Sequence, residues 1–233
     1  MSRAIGTSAE MKSVSQAAAP LLERIAEIRA SIPPERKAEI AAAVAERVAL
    51  DERKAVLAVG MPSIFDRTPI EAAPPRARAW AAGAVTGGRR NLVLVGASGT
   101  GKTKAACALL AWMATRRPCR FATLGDMLRE CRATYGGEGS EWAVLAKWAG
   151  VGVLCLDDLG KERPTADSAD KLFALVDKRY GDGKPTIFTT QYAGPRELGL
   201  RLMEGCDKPT AQAIARRVYG DGDRIAEVVT LAR

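Results

Sequence analysis

The chain has 233 residues, 47% of them hydrophobic and 5% aromatic, with a net charge of +8. That is enough apolar material for one medium domain, or one domain with a small appendage, and its core must be built mostly from Ala, Val, Leu and Ile. No apolar run approaches the roughly 20 residues of a membrane span. The opening MSRAIGTSAE also lacks the basic start and apolar stretch of a secretory signal, so a cytoplasmic protein without a membrane partner is expected. The five cysteines (Cys107, Cys119, Cys131, Cys155 and Cys206) are odd in number, none is at C-x-x-C spacing, and there is no histidine. This points away from zinc and towards reduced, partly buried thiols.

The charge is uneven. Residues 1–58 hold nine Lys/Arg and eight Asp/Glu, a net of +1, and residues 59–233 hold 26 and 19, a net of +7. A basic domain fits a polyanionic partner, with nucleic acid first; simple solubility accounts for the same excess.

Residues 1–12 are small and polar and are expected to be disordered. From Ser13 to Ala30 the apolar positions Val14, Ala17, Ala18, Leu21, Leu22, Ile25 and Ile28 follow helical spacing. Ser31-Ile32-Pro33-Pro34-Glu35 predicts a break and restart, with Ser31 or a neighbour as the cap. A second helix is expected over Glu35–Ala58, carrying Ile40, Val44, Val48 and Leu57. The pair reads as a helical arm with too little apolar surface to stand as a domain alone. The boundary is placed between residues 58 and 59.

Gly60-Met61-Pro62 and Pro69–Pro75 mark a loop-rich junction. A short helix is predicted around Arg76–Thr86, ending at Gly87-Gly88. Strand–helix alternation follows. The predicted strands are Asn91–Val95, Arg120–Thr123, Val151–Leu156, Thr186–Thr190 and Ile225–Leu231. The helices are Lys102–Arg116, Gly125–Tyr135, Ser140–Ala149, Ala166–Tyr180, Arg196–Met203 and Thr210–Tyr219. This order predicts an α/β fold, a parallel sheet covered by helices on both faces.

Gly96-Ala97-Ser98-Gly99-Thr100-Gly101-Lys102-Thr103 matches G-x-x-x-x-G-K-[ST] in full, directly after an apolar strand and at the opening of a helix. Glycines let successive N–H groups point inward, and the helix adds the positive end of its dipole. The motif implies ATP bound with Mg²⁺: Lys102 reaches the β- and γ-phosphates and Thr103 ligates the ion. The second half of such a site is an acidic pair at the end of a buried strand, and Asp157-Asp158 supplies it. Asp157 is the expected Mg²⁺ ligand, and Asp158 is expected to orient or deprotonate the attacking water.

Taken together, residues 58–233 resemble AAA+ ATPases of the DnaC/IstB type, bacterial and phage helicase loaders and transposition helpers. The resemblance is carried by Ala58-Val59-Gly60-Met61-Pro62, by Asn91–Thr103 and by Asp157-Asp158-Leu159-Gly160-Lys161-Glu162. Further along it rests on Leu172–Tyr180, on Thr186–Thr190 as a sensor-1 strand, and on Ala213-Ile214-Ala215-Arg216-Arg217-Val218. It implies catalytic parts for Thr190 and Gln191, although the family usually has Asn where Gln191 stands. It also implies self-association, with ATP between subunits and an arginine finger reaching the neighbour's γ-phosphate. Arg217 matches that slot and Arg216 is the adjacent alternative. Only sixteen residues follow Arg217, too few for a helical lid.

The same resemblance places Asp126–Tyr135 at a channel for single-stranded DNA. Arg129 and Arg132 share a helix face there and Tyr135 offers a stacking surface; a solvated amphipathic helix has the same pattern. Three functions compete. The first is a loader whose arm grips a replicative DNA helicase while its core assembles on single-stranded DNA. The second is an IstB-like ATPase that helps a transposase on duplex DNA. The third, a metabolic P-loop kinase, requires an acceptor pocket and a lid that the sequence does not offer.

Overall fold

The computed structural model describes residues 8–137, 139–221 and 225–232, with side chains from residue 18 onward. The chain divides into two units, 1–51 and 52–233. The division falls within the helix over Pro34–Ala58.

The first unit holds helix α1 (Ser8–Ser31) and most of α2 (Pro34–Ala58). α1 begins at Ser8, so residues 8–12 are helical where disorder was expected; residues 1–7 lie outside the described set. Ser31 does not cap α2. Its hydroxyl donates back to Ile28 O, closing α1 instead. Leu21, Leu22, Ile25 and Ile28 on α1 and Ile40, Val44 and Val48 on α2 are all exposed. Pairs within one helix, such as Arg36–Glu39 and Arg47–Asp51, hold the polar face.

The second unit is a five-stranded parallel sheet in the order β2-β3-β4-β1-β5. Its strands are β1 (Leu92–Val95), β2 (Cys119–Thr123), β3 (Val153–Leu159), β4 (Thr186–Thr190) and β5 (Glu227–Thr230). Side chains alternate across the pleat. Leu92 and Leu94 face a cluster with α3 (Pro75–Val85) and α4 (Lys102–Ala114). Val93 and Val95 face the opposite cluster, built on α5 (Leu124–Ala133), α6 (Glu141–Gly150), α7 (Ala166–Gly181), α8 (Pro195–Leu202) and α9 (Lys208–Tyr219). All four β1 side chains are buried, which is why strands buried on both faces read as continuous apolar runs.

The expected elements are all present, with small shifts at their ends. Among the strands β3 differs most: it was expected over Val151–Leu156 and instead runs Val153–Leu159, carrying both acids inside it. The register between β3 and β4 slips between Leu156 and Leu159. The exposed edge of β2 is covered, because Phe121 N–H donates to Val59 O at 2.8 Å. Gly60, with φ 78, turns the chain there.

Candidate nucleotide and magnesium site

All strands point the same way, so their carboxyl ends line one edge of the sheet, where ligands collect in open α/β folds. β1 ends at Val95 and the loop Gly96–Gly101 leads into α4. Gly96 must be glycine because an added Cβ would lie 2.5 Å from Leu231 O. Gly99 and Gly101, with φ 81 and 87, take left-handed conformations that side chains disfavour. Lys102 is buried, and its Nζ donates to Gly96 O and Ala97 O, both at 2.8 Å. The ammonium therefore lies folded back over the loop. Thr100 hydroxyl donates to Ala97 O at 2.9 Å and narrows the same turn.

Asp157 reaches this loop from β3. Its carboxylate accepts from Thr103 Oγ1 at 3.1 Å to each oxygen, and from Thr189 Oγ1 at 2.6 Å. Burial pushes the Asp157 carboxyl up; the Thr189 bond opposes this, the Asp158 charge adds to it, and Thr103 and Lys102 oppose it. A buried carboxylate beside a hydroxyl, with no cationic side chain bonded to it among the described residues, is a hard oxygen donor pair that fits Mg²⁺.

Asp158 stands in the left-handed region at φ 55, the one non-glycine with positive φ among the described residues. This sits where the β3–β4 register slips, and it turns Asp158 to the surface while Asp157 stays inside. Asp158 N–H donates to Thr189 Oγ1 at 2.8 Å, and its carboxylate pairs with Lys161 at 2.7 Å. Thr189 thus links both acids. Sequence reading passed over it in favour of Thr190 and Gln191; the signal available was its place in β4 beside the acids of β3.

The other expected residues are placed differently. Thr190 is buried and its hydroxyl donates to Leu159 O at 2.8 Å, tying the ends of β3 and β4. Gln191 is exposed and donates to Tyr192 Oη at 3.2 Å. Arg217 Nε pairs with Asp177 at 2.7 Å and its guanidinium lies over the Tyr180 ring. Arg216 is exposed, in a groove between α8 and α9 that also holds Arg196, Lys208, Leu200 and Met203. Asn91 Nδ2 donates to Arg217 O and Val218 O, so the end of α9 lies at the amino edge of the sheet, away from the chain's own Lys102.

Around α5 the charges are largely matched. Arg129 pairs with Asp126, and Glu130 takes Arg120 and Lys147. Tyr135 hydroxyl donates to Glu141 at 2.9 Å, and Lys171 pairs with Asp167 and Glu141. Arg132 is exposed on the same helix.

Residues 69–196 match the family of IstB-like ATP binding proteins, more than half of the chain. The chain belongs to the IstB-like ATP-binding family. It is 34% identical over 109 residues to the insertion sequence IS1162 putative ATP-binding protein of Pseudomonas fluorescens, covering 44% of each chain. It is 34% identical over 112 residues to the putative ATP-binding protein Rv3427c in insertion sequence of Mycobacterium tuberculosis, covering 47% of this chain and 44% of the relative. The match thus spans less than half the length of either curated relative. Among solved structures, the fold is similar to DnaI, with a TM-score of 0.61, 23% identity and coverage of 74% of this chain and 95% of that one. It is also similar to the DnaC helicase loader, with a TM-score of 0.59, 22% identity and coverage of 73% and 100%. These likenesses are of fold, a P-loop α/β sheet shared with DnaI and DnaC; the ATP-binding assignment comes from the family match. Among the described residues no helix is long and apolar enough to cross a membrane.

Proposed function

We propose that this protein is an ATP-hydrolysing helper of DNA transposition that assembles with copies of itself on duplex DNA and acts with a transposase. The observation that carries the hydrolytic part is the junction of loop and acids: Thr103 and Thr189 both bond Asp157, while Asp158 turns outward beside them. Thr103 and Asp157 would hold Mg²⁺, which supplies positive charge against the β- and γ-phosphates. The loop amides and Lys102 bind and orient the phosphates. Asp158 accepts a proton from, or aligns, the attacking water, and Lys161 steadies its carboxylate. Gln191, exposed after β4, would have to give up its bond to Tyr192 Oη to reach the same water.

The choice of transposition over helicase loading rests on the relatives. Both sequence relatives at 34% identity are insertion-sequence proteins, whereas the likeness to the DnaC helicase loader, at 22% identity, is one of fold. That reverses the order in which sequence reading alone placed the two. The arm supports a protein partner in either case, because its apolar stripes are exposed and its charge is nearly balanced.

Arg216 is the better finger than Arg217. Arg217 is held by Asp177, while Arg216 lines the α8–α9 groove near the end of α9, which meets Asn91 at the amino edge of the sheet. A guanidinium there serves a neighbour's site, not its own.

The test is co-purification of the full chain, with Mg–ATP, against the transposase of its own element and against the replicative helicase of its host. Capture of the transposase, with hydrolysis raised by duplex DNA, is expected. Capture of the helicase alone, with stimulation only by single strands, overturns the transposition reading.

A further inference from the structure

The amino edge of the sheet carries a cavity of about 440 Å³. It lies between α3 and the turn that leads into β1, one strand length, about 13 Å, from the phosphate loop. The turn is built for its place. Gly87 has φ 108, and Gly88 packs so closely that an added Cβ would lie 2.9 Å from Gly83 O. Gly88 N–H donates to that same carbonyl at 2.8 Å. The chain is thereby folded back over the end of α3, and Arg89 and Arg90 follow at once.

Three guanidiniums, from Arg76, Arg89 and Arg90, line this cavity against one carboxylate, Glu227. Glu227 pairs with Arg76 at 2.6 Å. Arg89 and Arg90 are exposed and no described carboxylate pairs with either. The Arg89 stem lies across Gly183 of the α7–β4 turn, where a Cβ would lie 2.9 Å from its Cδ. Trp80 is half-buried in the wall, and its Nε1 donates to Arg90 O at 2.9 Å, which fixes the indole. An indole plane beside unmatched guanidiniums is suited to a phosphate that carries a sugar and a base.

We propose that this cavity is a DNA backbone site, with Arg89 and Arg90 on one phosphate, Arg76 at its flank and the Trp80 indole against the adjoining sugar or base. This rests on the reading of the protein as an ATPase that acts on DNA, and it moves the DNA contact away from α5. There Arg129, Lys147 and Lys171 already have carboxylate partners. At the α3 cavity Arg76 has Glu227, but Arg89 and Arg90 have no carboxylate partner among the described residues. A polyanion gains most where positive charge is not already neutralised.

The experiment measures binding of a labelled 30-base-pair duplex to the full chain with saturating Mg–ATP, across a salt series. Arg89→Ala with Arg90→Ala is expected to weaken binding roughly tenfold at low salt and to lower the slope of log K against log salt by about one, the loss of one phosphate contact. Arg89→Lys with Arg90→Lys, which keeps the charge, should retain most of the slope, and ATP binding should be unchanged in both variants. Arg129→Ala with Arg132→Ala should have the smaller effect. An unaltered slope in the Arg89→Ala, Arg90→Ala protein overturns the site but leaves the DNA reading standing. Displacement of the duplex by AMP at constant ionic strength assigns the cavity to a free nucleotide and overturns it as well. Absence of DNA binding by the unaltered chain sinks both together.

Discussion

Thr189 Oγ1 donates to Asp157 Oδ1 at 2.6 Å and accepts from Asp158 N–H at 2.8 Å, so one buried hydroxyl sets the position of both acids. Thr189→Val keeps the shape and β-branching of the side chain and removes both bonds. A hydrogen bond to a charged group is worth about 1.5–3 kcal/mol, so turnover should fall roughly tenfold or more. Thermal stability should fall as well, because the buried Asp157 carboxylate and the Asp158 N–H each lose a partner. Steady-state hydrolysis and a melting curve on the same preparation check this; full activity would make Thr189 a packing residue only.

Lys102→Ala should fold and lose tight ATP binding. Its Nζ bonds are to the carbonyls of Gly96 and Ala97, so the loop amides and the helix end remain while the charge is gone. Calorimetric titration with ATP reads this directly, and unaltered affinity would remove Lys102 from the site.

Asp158→Asn is a clean substitution because Asn, like Asp, tolerates the left-handed backbone found there. It should bind ATP normally and turn over about a hundredfold more slowly. Lys161→Ala, which releases the Asp158 carboxylate, should have a smaller effect. If Asp158→Asn turns over at the normal rate, another group handles the water.

Arg216→Ala should bind ATP and hydrolyse it up to about 10³-fold more slowly, while Arg217→Ala should chiefly lose its Asp177 pair. Mixing Arg216→Ala subunits with Lys102→Ala subunits should restore turnover, since each supplies what the other lacks at a shared junction. Co-assembly without recovery would count against a finger acting between subunits.

Glu130 gives a pH test of the region around α5. Partial burial raises its carboxyl, but the Lys147 and Trp148 hydrogen bonds and nearby Arg120 outweigh that and hold it below its ordinary value of 4.5. A carboxyl lowered by folding contributes its full stability above 4.5 and loses it as pH falls through the folded value. Glu130→Gln should therefore melt at a lower temperature than the unaltered protein at pH 7, and the gap should close on acidification below 4.5. A gap constant with pH would assign the effect to packing.

The sequence by itself determined the layered α/β fold, the phosphate loop and the pairing of that loop with Asp157. These rest on local signals: strands buried on both faces, such as Leu92–Val95, must be apolar throughout, and a glycine-rich turn opening a helix has one favoured use. Tertiary structure decided the rest. Whether an acid faces inward or outward depended on the irregular register of β3 against β4, which separates adjacent Asp157 and Asp158. The role of Thr189 came from a strand 32 residues away. Arg216 and Arg217 are alike in sequence and differ only because Asp177 on α7 takes one of them. The arginines beside Trp80 form a cavity only when α3, the glycine turn and β5 meet. Periodicity records how one segment meets the core, but pairing of charges and hydroxyls is set by which segments lie side by side, and that is fixed only when the sheet is assembled.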